Sequence, residues 1–164
     1  MSELKAGRKA PDFSLPDSHN SIHNLSDYQG QWLILFFYPK DNTPGCTVEA
    51  CQFRDSYSDI SAINAKIVGI STDSTESHAH FTNRQQLPFS LLSDNTGAIS
   101  KLYGSLFKLG PIKFCKRHSF IIDPQGNIAK IYRKVTPSSH SQQIMADLKM
   151  GKRQSDRSTY SERI

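Results

Sequence analysis

The sequence predicts an α/β domain with a mixed central sheet flanked by helices, and three features carry that prediction. Residues 31–38, QWLILFFY, form a continuous apolar run that stops at Pro39, as a strand buried on both faces does. A second run, AKIVGIS at 65–71, is separated from the first by residues 47–64, where Val48, Phe53, Tyr57, Ile60 and Ile63 recur at mainly helical spacing. Strand, helix and strand make a right-handed crossover that lays the two strands parallel. Further on, residues 117–123 and 127–133 flank Pro124, Gln125 and Gly126, a tight connection with a glycine free to take a positive φ, so an antiparallel hairpin completes the sheet.

The remaining elements follow from weaker signals. Residues 10–16 and 22–26 read as short extended pieces joined by a polar turn and covering one edge of the domain. Residues 74–86 read as a helix, and Leu91 and Leu92 as a short strand. Ser93 or Asp94 is expected to cap a helix over 97–103, which Gly104 ends. Ser138 or Ser139 is placed to cap a last helix running to about Leu148, with Ile144 and Leu148 on its buried side.

Composition sets the outer bounds. The 164 residues carry 20 Lys and Arg against 15 Asp and Glu, a net charge of +5, with 37% hydrophobic residues. That is one domain of ordinary composition, neither a disordered polymer nor a disulfide-stapled mini-protein. Of the excess charge, +3 falls on Lys149–Ile164, so residues 1–148 are read as the domain and 149–164 as a basic, mobile tail. A solvated tail is favoured over a contact with nucleic acid or membrane. The longest apolar stretch, residues 32–38, is far short of the roughly 20 residues that cross a bilayer, and the chain opens on a polar MSELK. A soluble, cytoplasmic protein is expected.

The chemistry gathers around a cysteine. Cys46 follows the first buried strand in a proline-flanked loop, where the chain turns into a helix. Unpaired backbone N–H groups and the positive end of the helix dipole favour an anion there, which makes a thiolate available as a nucleophile. The carboxyl end of a sheet strand is also where α/β folds place reactive groups. Thr43 offers a hydroxyl to a substrate oxygen, and Pro39 walls the pocket without adding a donor. Cys51 lies five residues on. In an intact helix that step advances about 7.5 Å and turns about 140°, so a bond between the two sulfurs requires unwinding. Cys51 is then either a packing residue or a resolving thiol coupled to local unfolding.

The run FYPKDNTPGCTVEAC at 37–51 resembles the active-site signature of the peroxiredoxins, in particular the bacterioferritin-comigratory protein or peroxiredoxin Q group. The likeness extends over APDFSL at 10–15, GISTD at 69–73, LLSD at 91–94, Tyr103 with Gly104, and RHSFIIDPQG at 117–126. It implies a thioredoxin-like fold and a peroxidase for hydrogen peroxide and organic hydroperoxides that needs no metal and no other cofactor. By position, it implies that Cys46 is the peroxidatic cysteine, Thr43 and Arg117 its activating partners, Pro39 its shield and Cys51 the resolving cysteine. A monomer recycled by thioredoxin or a similar dithiol is expected.

The other thiol and the histidines give less. Cys115 sits two residues before Arg117 and reads as packing, with an alternative resolving role as the lesser option. His19, His23, His78, His80, His118 and His140 show no metal-ligand spacing and are expected at the surface or in loops. Two other functions compete: a thioredoxin-like disulfide oxidoreductase using Cys46 and Cys51, which the absence of a Cys-x-x-Cys weakens, and a basic-tailed binding module with structural cysteines.

Overall fold

A computed structural model describes residues 4–163, with side chains from 4 to 153. Its core is a five-stranded sheet in the order β5-β4-β3-β8-β9, made of β3 (Trp32–Phe37), β4 (Ala65–Ser71), β5 (Ser90–Ser93), β8 (His118–Ile122) and β9 (Ile128–Tyr132). β3, β4 and β5 run parallel, while β8 is antiparallel to β3 and β9 to β8, so the sheet is mixed as predicted.

Alternation along β3 divides the interior. Ile34, Phe36 and Tyr38 face one cluster, against which pack Phe53 of α1 (Pro44–Asp55), Ile60 of α2 (Tyr57–Ala62), Phe81 of α3 (Thr75–Gln85), and Ile144 and Leu148 of α5 (His140–Arg163). Leu33, Leu35 and Phe37 face the other, with Phe120, Tyr103, and Phe13 and Leu25 from the N-terminal segment. Phe36 stacks on Phe53 with ring centroids 4.9 Å apart. Burying one such ring contributes roughly 2 kcal/mol. Gly69 makes room for it, because a Cβ there would stand 2.7 Å from the Phe36 ring.

Several expectations are adjusted. The predicted helix between the first two strands is two, α1 and α2, meeting at Ser56, and Val48 lies on the solvent side at 41% exposure instead of in the core. The N-terminal pieces pair as β1 (Ser14–Pro16) and β2 (Ile22–Asn24). Asp94 caps α4 (Ala98–Leu102) by accepting from the backbone N–H groups of Ile99 and Ser100. A hairpin that the sequence reading missed, β6 (Leu106–Leu109) with β7 (Ile112–Cys115), projects Leu109 and Ile112 into solvent; its strands are short, and Cys115 is their one buried residue. The last helix does not stop near Leu148. α5 continues to Arg163, so the segment expected to be a mobile tail has helical backbone up to that residue. Among the described residues no helix is long and apolar enough to cross a membrane.

Candidate active site

Topology brings the candidate residues to one end of the sheet. β3 ends at Phe37 and the chain passes through Pro39 and Thr43 into α1, while the antiparallel register pairs Phe37 with His118, so Arg117 arrives beside the same strand end from the opposite direction. Eighty residues separate Phe37 from Arg117, and a single strand pairing closes that gap.

α1 starts with Thr43 at its N-cap and Pro44 in its first turn. Thr43 makes no side-chain cap; its Oγ1 donates instead to the Lys40 carbonyl at 2.8 Å. The first intrahelical bond is from Thr47 N–H to the Thr43 carbonyl, which leaves the N–H groups of Gly45 and Cys46 without an intrahelical acceptor. Cys46 therefore sits in the first turn, on the positive end of the helix, and is 1% exposed.

Arg117 completes the arrangement. Its Nη2 donates to Cys46 Sγ at 3.4 Å and its Nη1 to Glu49 Oε1 at 3.3 Å. The guanidinium thus bridges a thiol and a carboxyl that lie three residues apart on one helix face. Gly45 permits this approach, since a Cβ there would meet Arg117 Nη2 at 3.0 Å.

Glu49 is the residue the sequence reading passed over. It is 1% exposed, and its Oε2 is buried without a hydrogen-bond partner. Burial raises its pKa to about 7 from an ordinary 4.5, against the opposing pull of Arg117. Helical spacing was the available signal, because Cys46, Glu49, Ala50 and Phe53 fall on the inward face of α1 at i, i+3, i+4 and i+7.

Cys51 lies on the same helix but apart from this group. It is partly buried, and its thiol donates to Gln85 Oε1 of α3 at 3.4 Å. One turn on, Arg54 Nη1 donates to the Gln85 carbonyl at 2.8 Å, so the end of α3 holds the Cys51 stretch of α1 in place. All three cysteines are free thiols. Cys115 is fully buried beside Ser100 Oγ at 3.1 Å, and burial pushes its thiol up to about 12. Pro39 is half-buried in the loop between β3 and α1.

Three histidines depart from the surface positions expected of them. His118 and His140 are buried, His140 against Ser119 Oγ at 2.8 Å, and burial lowers the pKa of both, His118 to about 4. His78 is completely buried and forms with Asp41 and Asp73 a group whose ligand-type atoms lie within 4.8 Å of one another. Asp41 lies 32 positions before Asp73 and 37 before His78, which is why spacing did not reveal the group. Their polar atoms bond to one another and to Tyr38, Ser71, Ser77 and Leu92.

Comparison with known proteins places the chain in a family. The AhpC/TSA family model matches residues 6–131. Peroxiredoxin Bcp of Bacillus subtilis is 40% identical over 152 residues, covering 89% of this chain and 96% of that protein. The crystal structure of peroxidoxin BcpB from Mycobacterium tuberculosis superimposes with a TM-score of 0.85 at 32% identity, covering 90% of this chain and 98% of that one. A Xanthomonas campestris bacterioferritin comigratory protein, solved as a trapped intermediate/ligand complex in work on its alkyl peroxide reduction activity, matches with a TM-score of 0.83 at 30% identity, covering 90% and 99%. By its family match, its relatives and its thioredoxin-like fold, this chain belongs to the AhpC/TSA family, in the group of the Bcp and Q peroxiredoxins.

Proposed function

We propose that the protein is a thiol-dependent peroxidase that reduces hydrogen peroxide and small organic hydroperoxides at Cys46. The observation that carries this reading is the Arg117 guanidinium 3.4 Å from the Cys46 sulfur at the start of α1. A permanent positive charge and the open N–H groups of the first turn stabilise a thiolate in a site shielded from water. Peroxide reduction also builds negative charge on the departing oxygen, and the same donors meet it.

In the first step the Cys46 thiolate attacks one peroxide oxygen. The O–O bond breaks, the sulfur is oxidised to a sulfenic acid, and the other oxygen leaves as water or alcohol after taking up a proton. Thr43 commits its hydroxyl hydrogen to Lys40, so its oxygen is left to accept a hydrogen bond from the peroxide O–H. Pro39 borders this loop and brings no N–H to compete.

In the second step the Cys51 thiol condenses with the Cys46 sulfenic acid, releasing water and forming a disulfide. Both cysteines lie within α1, with the Cys46 sulfur on Arg117 and the Cys51 sulfur on Gln85, so α1 unwinds and the Gln85 contacts break before the bond closes. A dithiol of the thioredoxin kind then restores both thiols. With the reacting and resolving thiols in one helix, the cycle needs no second chain, and a monomer is the working unit we propose. Three unpaired cysteines suit the reducing cytoplasm.

Peroxide titration with mass mapping tests the reading. Cys46→Ser is expected to abolish turnover. Cys51→Ser is expected to consume about one equivalent of peroxide per chain and then stop, since the first step uses Cys46 alone. A wild-type disulfide mapped from Cys46 to Cys115, or full dithiol-dependent turnover by Cys51→Ser, refutes the role of Cys51. Disulfide exchange without peroxide consumption refutes the peroxidase.

A further inference from the structure

The buried group of Asp41, Asp73 and His78 lies outside the site just described, yet it adjoins the loop that carries Thr43. Asp41 is 5% exposed, and three side chains converge on its carboxylate: Tyr38 Oη donates to Oδ1 at 2.6 Å and Ser77 Oγ to Oδ2 at 2.8 Å, while His78 Nδ1 lies 2.7 Å from Oδ2. His78 is anchored at its other end. The Leu92 carbonyl only accepts, so His78 Nε2 carries a proton and donates to it at 3.0 Å. Asp73 holds the backbone of the same loop: its Oδ2 accepts the Asp41 N–H at 2.8 Å and the Ser71 hydroxyl at 2.6 Å.

One peptide group links this network to the peroxide pocket. The Asp41 N–H and the Lys40 carbonyl belong to the same planar unit, so neither moves without the other. The N–H end is fixed by Asp73, and the carbonyl end accepts the Thr43 hydroxyl at 2.8 Å. Asn42, between Asp41 and Thr43, adopts φ +61°, the left-handed region that Asn accepts more readily than other non-glycine residues, and so turns the loop between them. We propose that Asp41, Asp73 and His78 are positioning residues that aim the Thr43 hydroxyl at peroxide through the Lys40–Asp41 peptide. The proposal rests on the reading of Thr43 given above.

Asp41→Asn tests it with little change of shape. The amide keeps only one of the two accepting oxygens, so either Tyr38 Oη or Ser77 Oγ loses its acceptor and the loop's seat loosens while the volume is kept. The rate of Cys46 oxidation by hydrogen peroxide is expected to fall about tenfold or more, on the scale that misplacing a reacting group imposes. Alkylation of Cys46 by iodoacetamide, which needs the thiolate but not Thr43, is expected to keep its wild-type rate. The decisive comparison adds Thr43→Val. If Asp41 acts through Thr43, the double variant is no slower than Thr43→Val alone. Ser77→Ala, at a partly exposed position that supplies one of the three contacts, is expected to give a smaller loss with the same non-additivity and serves if Asp41→Asn does not fold. Losses that multiply, or peroxide and alkylation rates that fall together, overturn the proposal. So does a wild-type peroxide rate in the folded Asp41→Asn variant while Thr43→Val is slow. A wild-type rate in Thr43→Val overturns the role of Thr43 itself, and the positioning proposal with it.

Discussion

Replacing Glu49 by Gln changes how stability depends on pH. Glu49 is 1% exposed, so solvent does little to screen its charge, and its pKa is raised to about 7 from an ordinary 4.5, chiefly by burial. The folded protein keeps the proton up to about pH 7, whereas the unfolded chain releases it near 4.5. Folding therefore takes up a proton in between, and stability falls as pH rises through that window. The full shift corresponds to about 3 kcal/mol, present as a loss above pH 7 and absent below pH 4.5. Gln keeps the shape and an oxygen for Arg117 but does not titrate. Urea unfolding of both proteins from pH 4.5 to 8.5 is expected to show the variant gaining on the wild type by about 3 kcal/mol across the range. Taking the difference cancels the titration of every other group that the substitution leaves undisturbed. A difference that does not vary with pH refutes the assignment of a protonated, buried Glu49.

Other outcomes follow from the same contacts. Arg117→Ala is expected to slow Cys46 oxidation by about 10²-fold or more while the fold is retained, read by stopped-flow fluorescence; an unchanged rate leaves Arg117 only its structural contact with Glu49. Gln85→Leu removes the acceptor that holds the Cys51 thiol. After a single addition of peroxide, disulfide formation followed by quenched mass analysis is expected to be severalfold faster than in the wild type, and an equal or slower rate counts against Gln85 as a restraint on unwinding. The Cys115 thiol, pushed up to about 12 by burial, is expected to stay unmodified by iodoacetamide at pH 8 in the folded protein; its rapid modification contradicts the packing role.

The sequence by itself determined the elements whose signals are local. A strand buried on both faces must be apolar along its whole length, and β3 and β4 are; the Pro-Gln-Gly turn marks the β8–β9 hairpin; the Gly-Cys step after Pro44 marks a reactive helix start. Where α5 ends was not legible, because residues beyond Leu148 lack apolar periodicity, although Gly151 lies against the Trp32 ring in the folded chain. Tertiary structure alone decided what depends on distant segments meeting. Strand pairing carries Arg117 to Cys46 and, with it, makes Glu49 a buried partner instead of a surface acid. Packing of α3 against the β3 loop turns His78 from an expected surface histidine into a buried contact of Asp41. Burial and the pairing of charges are properties of three-dimensional neighbourhoods, and residue spacing along one chain does not encode them until the sheet has closed.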